Sequence, residues 1–132
     1  MRVNFPCLLH TYFFRKSTQV PQIILDSSPL SNIVCTQPRR IAAISIAERV
    51  AAERGQNCGD LVGYHVRLQS SYGPQTRILY CTTGILLRKL QDLNYLQTVS
   101  HLIIDEVHER QVLFSFSFSF FPDLSVRLKQ TS

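Results

Sequence analysis

The chain has 132 residues, a formal net charge of +5 and 45% hydrophobic residues. This length predicts one domain, and the hydrophobic content excludes a disordered chain. The positive charge permits an anionic partner such as nucleic acid, but charge alone does not identify one.

The four cysteines lie far apart and form no C-x-x-C pair, which argues against a structural zinc site. Cys35 and Cys81 lie inside apolar runs, so we expect them to be buried thiols. Free thiols predict a reducing, intracellular compartment, either the cytoplasm or the nucleus. No apolar stretch is long and pure enough to predict a membrane span.

Residues 1–15 are rich in aromatic side chains without a clear period, so the pattern assigns no element there. Three short apolar runs follow along the chain: Ile33-Val34-Cys35, Ile78-Leu79-Tyr80-Cys81 and Leu102-Ile103-Ile104. Continuous apolar runs of this length are typical of strands buried on both faces of a parallel sheet.

Helical patterns alternate with these runs. Residues 39–54 predict a helix with one apolar stripe, and Gly55 suits its end. The stripe contains Ala43, Ile46, Ala47 and Val50. A second predicted helix follows Gly84, with its buried face formed by Leu86, Leu87, Leu90 and Leu93. Residues 62–68 predict a further strand, followed by a turn at Ser70-Ser71. This alternation predicts an α/β fold with a parallel sheet covered by helices on both faces.

Each main strand ends in polar residues: Thr36-Gln37, Thr82-Thr83 and Asp105-Glu106. Ligands of open α/β sheets bind at the carboxyl ends of the strands, so we expect the chemistry there. Two adjacent carboxylates at a strand end suit a hydrated Mg²⁺ and an activated water. The alternative for Asp105 and Glu106 is a solvated surface cluster, although the apolar strand before them favours a site.

The motif Asp105-Glu106-Val107-His108 resembles motif II of the DEAH/DExH-box RNA helicases. Thr36-Gln37-Pro38-Arg39-Arg40 is similar to their motif Ia, and Thr82-Thr83-Gly84 to their motif Ib. The three motifs occur in the family's order and spacing, and the likeness covers residues 16–110. Within this family, the sequence most resembles the RNA helicase A-like subgroup. The resemblance implies a P-loop NTPase (RecA-like) domain that uses ATP and Mg²⁺.

The resemblance also implies roles for the matching residues. Asp105 would hold Mg²⁺ through its water shell, Glu106 would be the catalytic base, and His108 would link the nucleotide site to a second domain. Thr36, Gln37, Pro38, Arg39 and Arg40 would contact the RNA backbone, as would Thr82, Thr83 and Gly84. Such groups suit phosphates rather than base sequence. The alternative for Arg39 and Arg40 is a pair of solvated charges at a helix start.

The phosphate loop departs from the family pattern G-x-x-x-x-G-K-[ST]. Lys16, Ser17 and Thr18 match as nucleotide-binding residues, and Ser17 would also help to hold the metal. His10 and Arg15 occupy the places of the two glycines. We expect these side chains to hinder the approach of phosphates to the loop N–H groups.

Residues 111–132 begin with a Ser/Phe alternation that the family does not have. The sequence thus predicts three parts: an atypical segment over 1–15, a partial helicase domain over 16–110, and a foreign low-complexity tail over 111–132. A truncated domain without the second RecA-like domain would be inactive alone. The alternatives are a catalytically inactive RNA-binding or interaction fragment and a non-functional product of a mis-joined gene model.

Overall fold

The computed structural model describes residues 7–10 and 14–104, with side chains described from residue 18 onward. The strands are β1 (Cys7–His10), β2 (Ile33–Gln37), β3 (Val62–Val66), β4 (Gln69–Ser71), β5 (Ile78–Thr82) and β6 (His101–Ile104). The helices are α1 (Phe14–Ser27), α2 (Arg40–Glu53), α3 (Thr83–Leu90) and α4 (Leu93–Thr98).

The six strands form one sheet in the order β1-β6-β2-β5-β3-β4. All neighbouring pairs are parallel except β3 and β4, which form an antiparallel hairpin. The parallel strands therefore all end at one side of the sheet, here called the carboxyl edge; the opposite side is the amino edge. The predicted α/β fold with a parallel sheet and flanking helices is confirmed.

Each face of the sheet carries its own hydrophobic cluster, because successive side chains of a strand point to opposite faces. Ile33 and Cys35 of β2 pack in one cluster with the buried stripe of α2. Val34 of β2 packs in the other cluster with Leu86 and Leu96 of α3 and α4. Cys35 and Cys81 are buried, as predicted, and neither forms a disulfide within the described residues.

Helix α2 lies within one residue of its predicted bounds, with Arg39 as N-cap and Arg54 as C-cap. Its end is a Schellman motif, in which the N–H of Gln56 donates to the Ala51 carbonyl at 2.9 Å. Gly55 has a φ of +68°, which glycine adopts without steric cost. The helix end predicted at Gly55 is therefore confirmed.

The second predicted helix is divided into α3 and α4 in the structure, so the prediction of one continuous helix is wrong. Asp92 caps α4 by accepting a hydrogen bond from the Asn94 N–H at 3.0 Å. This new start rotates Leu93 out of the apolar face, and Leu93 is 52% exposed instead of buried. Leu86 and Leu90 are buried as predicted.

The predicted strand over residues 62–68 ends earlier, at Val66. Leu68 has a φ of +67° and turns the chain into β4, so the predicted turn at Ser70-Ser71 is wrong. Strand β1 was not predicted, since Cys7–His10 gain their strand partner only from β6.

Candidate nucleotide and nucleic-acid edge

The carboxyl edge brings the predicted motifs together. His10 at the end of β1 lies in register with Ile104 of β6, and Ile104 in turn with Thr36 of β2. Gln37 then lies in register with Thr82 of β5. The ends of β1, β6, β2 and β5 thus lie side by side. In that order they carry the predicted phosphate-loop position, the position before the acidic pair, and the two predicted RNA motifs.

The predicted nucleotide site lies at the corner of this edge formed by β1 and α1. Helix α1 begins at Phe14, four residues after the last residue of β1, and includes Arg15, Lys16 and Ser17 in its first turn. Arg15 therefore has helical backbone, which a non-glycine residue adopts without strain. Its side-chain bulk remains the objection to phosphate binding.

Several predicted site groups lie outside what the structure describes. The side chains of Lys16 and Ser17 belong to this set, whereas that of Thr18 is described and is 3% exposed. Asp105, Glu106 and His108 follow Ile104 in sequence and also lie outside the described residues. Their predicted roles stay predictions.

The turn after β2 combines a buried and an exposed part. Thr36 is fully buried, and its hydroxyl donates to the Ile103 carbonyl at 3.5 Å. Gln37 is 3% exposed, and its Nε2 has no hydrogen-bond partner within the described part of the chain. The half-buried Pro38 and the exposed Arg39 follow. A ligand at this turn would meet Arg39 rather than the side chains of Thr36 and Gln37.

Arg40 is held by the β3–β4 hairpin. Its Nε donates to the Arg67 carbonyl at 3.2 Å, and its Nη2 donates to Oε1 of Gln69 at 2.8 Å. Gln69 in turn donates to the hydroxyl of Tyr64 at 3.0 Å. These contacts join the start of α2 to the end of β3, so Arg40 has a structural task beside its predicted RNA contact.

The turn after β5 opens into a shallow pocket of about 180 Å³. Its lining residues are Arg67, Thr82, Gly84, Ile85 and Arg88. Both arginines are exposed, and no carboxylate of the described residues forms an ion pair with either. Two unpaired guanidinium groups beside a helix start are suited to a phosphate.

Arg67 and Arg88 were missed by the sequence reasoning. Arg88 lies four residues after Gly84, so the i, i+4 rule for one helical face was an available signal. Arg67 gave no such signal, because β3 pairs with β5 only in the folded sheet.

Gly84 is exposed, and a Cβ built on it would meet no heavy atom within 4 Å. It lies in the first turn of α3 without a positive φ. Packing and torsion therefore do not require glycine at this position.

Comparison with known proteins shows the family of the chain. A human protein named putative ATP-dependent RNA helicase DHX57 is 58% identical over 101 residues, which cover 72% of this chain and 7% of the relative. The chain belongs to the DExH-box RNA helicase family. The Arabidopsis thaliana helicase DExH1 is 54% identical over 101 residues, covering 72% of this chain and 10% of the relative.

A third relative is the human ATP-dependent DNA/RNA helicase DHX36, which is 55% identical over 106 residues. That alignment covers 74% of the chain and 10% of the relative, so the chain spans about a tenth or less of the length of these helicases. No family model matches the chain. Within the described residues, no helix is long and apolar enough to cross a membrane.

Proposed function

We propose that this chain supplies the nucleotide-contacting and RNA-contacting edge of an ATP-dependent RNA helicase. The observation that supports the proposal is the register of four parallel strands, in which the predicted phosphate-loop position is beside β6 and the two predicted RNA motifs are beside each other. The identity to DExH-box helicases supports the same assignment.

The RNA contacts in this proposal address the backbone and carry no base readout. Arg39 offers an exposed guanidinium after β2, and the Arg67/Arg88 pocket offers two more beside Gly84 after β5. Thr83 and Gly84 add backbone N–H groups at the start of α3, where the helix dipole favours an anion. Contacts of this kind position RNA without reading its sequence.

The RNA assignment is tested by fluorescence anisotropy with two unrelated single-stranded RNAs. We expect affinities on the order of 10⁻⁴ to 10⁻⁶ M at physiological salt, which is the non-specific range. Arg39→Ala should weaken both RNAs alike and flatten the salt dependence by a log–log slope of about 0.7.

The matched control is Arg127→Ala, which removes one arginine from the segment over residues 111–132 that is predicted to be foreign to the family. It should change the RNA affinity less than Arg39→Ala does. If the two variants weaken RNA equally, binding reports only the +5 net charge and the assignment fails.

The nucleotide part of the proposal concerns ATP with Mg²⁺. The described backbone is compatible with this group, because α1 begins four residues after β1, whose last residue is in register with the last residue of β6 at the carboxyl edge. The first N–H groups of a helix have no acceptor within the helix and favour an anion. Lys16, Ser17 and Thr18 would hold the phosphates, Ser17 and Asp105 the hydrated metal, and Glu106 would orient the attacking water. When bound, Mg²⁺ would neutralise the charge that develops on the phosphates.

Two measurements test this part. We expect the chain alone to hydrolyse ATP no faster than its Glu106→Gln variant, since phosphoryl transfer draws several orders of magnitude of rate from arginine contacts that the family takes from a second domain. RNA-stimulated hydrolysis that disappears in Glu106→Gln would contradict this expectation. Replacing His10 and Arg15 by glycine should tighten ATP binding in calorimetry; an unchanged affinity would contradict the argument from side-chain bulk.

A second candidate function is RNA binding without catalysis. The specific observation in its favour is the presence of His10 and Arg15 where the family has glycines. RNA binding that depends on Arg39, together with no ATP binding even after both glycines are restored, would select this candidate.

A further inference from the structure

A second basic site lies on the α3/α4 face of the sheet, at the amino edge. The Lys89 ammonium lies 5.0 Å from the ring centroid of Tyr72 and 4.8 Å from that of Tyr95. Two aromatic faces attract one cation, and each contact is worth about 0.5–2 kcal/mol. Lys89 is therefore held in place, although a surface lysine usually samples many conformations.

The Lys89 ammonium borders a pocket of about 170 Å³. The pocket is also lined by Asn32, Tyr72 to Pro74, Thr76, Leu79 and Tyr95. Asn32 precedes β2 and Thr76 precedes β5, whereas Gly84 and Arg39 follow these strands. The pocket is thus at the opposite side of the sheet from the proposed RNA contacts.

Tyr72 reaches this pocket because of Gly63. A Cβ at Gly63 would lie 2.9 Å from the Tyr72 Cβ and closer still to the Ser71 carbonyl oxygen. Glycine at this position of β3 therefore lets the hairpin carry Tyr72 over the sheet, where its ring lies 5.2 Å from that of His65. The ring that contacts Lys89 thus also contacts His65, and Tyr72 stays 46% exposed.

The charge of Lys89 has no counter-ion in the described part of the chain, where the ion pairs are Arg49–Glu53 and Arg54–Asp26. None of the described residues that line the pocket is acidic. Burial raises the pKa of Tyr95, so its phenol is neutral at physiological pH and cannot compensate the ammonium. A preorganised cation beside a pocket without an anion is complementary to a carboxylate.

We propose that the Lys89 pocket is a docking site for an acidic polypeptide segment. An Asp or Glu carboxylate of that segment pairs with the Lys89 ammonium, which is itself held by the rings of Tyr72 and Tyr95. The volume decides the size of the occupant, since pockets for small molecules usually measure about 300 Å³ or more. One carboxylate side chain fits about 170 Å³. The site is independent of the proposed helicase function.

Single-stranded RNA is the competing occupant, because basic and aromatic side chains also bind nucleic acid. Stacked bases need open aromatic faces. Here the ring faces of Tyr72 and Tyr95 meet the Lys89 ammonium, and Tyr95 is only partly exposed. The arrangement therefore favours a carboxylate over a base.

The test uses the full chain and a fluorescein-labelled twelve-residue peptide that alternates Glu with Gly. A peptide with Gln in place of Glu is the neutral control, and a single-stranded RNA is the third probe. We expect the Glu peptide to bind more tightly than the Gln peptide. Lys89→Gln should weaken the Glu peptide by about tenfold, since a charge-assisted hydrogen bond is lost.

Arg67→Gln is the matched control, because it also removes one positive charge but lies at the carboxyl edge. Arg67→Gln should leave the affinity for the Glu peptide within about twofold and weaken the binding of RNA. Lys89→Gln should have the reverse effects on the two ligands. Tyr72→Ala removes an exposed ring without burying a polar group, and it should also weaken the Glu peptide.

Three results would overturn the proposal. One is equal affinity for the Glu and Gln peptides, and another is equal weakening by Lys89→Gln and Arg67→Gln. The third is an RNA affinity that falls in Lys89→Gln while peptide binding is unchanged, which would assign the pocket to nucleic acid. Far-UV circular dichroism identifies a variant that has lost the fold. If Lys89→Gln is such a variant, Lys89→Arg takes its place. Because Lys89→Arg keeps the positive charge, we expect it to retain binding of the Glu peptide.

Discussion

Gly84→Ala should change the stability of the fold and the affinity for RNA in opposite directions. Glycine in a helix interior costs about 0.8–1.0 kcal/mol relative to alanine, and the cost is smaller in the first turn. The added methyl group would meet no heavy atom within 4 Å, so no clash offsets the gain in helix propensity. We therefore expect Gly84→Ala to raise the free energy of unfolding by about 0.5–1 kcal/mol, or the melting temperature by roughly 2–6 °C.

RNA affinity should change in the opposite direction. If a phosphate approaches the backbone of Thr83 and Gly84, the methyl group occupies the space that the phosphate needs. Loss of about 1 kcal/mol from this contact corresponds to a roughly fivefold weaker affinity. Thermal melting by circular dichroism and RNA anisotropy on the same samples measure the two effects.

Ser45→Ala is the control for helix propensity, because Ser45 is exposed on α2 away from the carboxyl edge turns. It should raise stability by about 0.5 kcal/mol and leave RNA affinity unchanged. A Gly84→Ala variant that is more stable yet binds RNA as the parent does would refute the proposed contact. A less stable variant would refute the description of Gly84 as an unstrained helical residue.

Leu68→Gly should raise the melting temperature, because Leu68 has a φ of +67° and its side chain, which is 93% exposed, contributes little packing. A left-handed torsion costs about 1–2 kcal/mol in a non-glycine residue. The greater backbone entropy of glycine in the unfolded chain offsets part of the gain from removing this cost. Burial, followed by the charges of Lys89 and Arg88, lowers the pKa of His65 below 6.5. Unfolded chains then bind more protons, so urea titrations should show stability falling as pH drops below about 6.5, and His65→Gln should make this dependence shallower. Leu86→Ala removes a fully buried side chain from the α3/α4 cluster and should cost about 2–5 kcal/mol in the same titration; a cost below 1 kcal/mol would contradict the packing of that face.

Sequence pattern predicted the parts of the fold whose signals are local. The apolar runs of β2, β5 and β6 identified buried strands, and the stripe of α2 together with Gly55 fixed that helix within one residue. These signals are carried by side chains that are buried in any parallel α/β arrangement.

The elements that were missed depend on tertiary partners. β1 becomes a strand by pairing with β6, and β4 by pairing with β3 across the turn at Leu68. The division between α3 and α4 depends on one capping side chain, Asp92, inside an otherwise continuous leucine pattern.

The candidate site shows the same division. Motif spacing located the turns at Arg39 and Gly84, but it could not show that the side chains of Thr36 and Gln37 are buried beneath one of them. Arg67 joins the second turn because β3 lies beside β5, although 15 residues separate Arg67 from Thr82 in sequence.

The most direct test of the central claim is a titration of the ¹⁵N-labelled chain with single-stranded RNA, followed by amide chemical shifts. We expect the largest shifts at the carboxyl edge, at Arg39, Arg67, Thr83 and Gly84, and only small changes at Gly73 and Lys89 at the amino edge. Shifts that concentrate at the amino edge, or that spread evenly over all basic residues, would contradict the assignment of the carboxyl edge as the RNA-contacting surface.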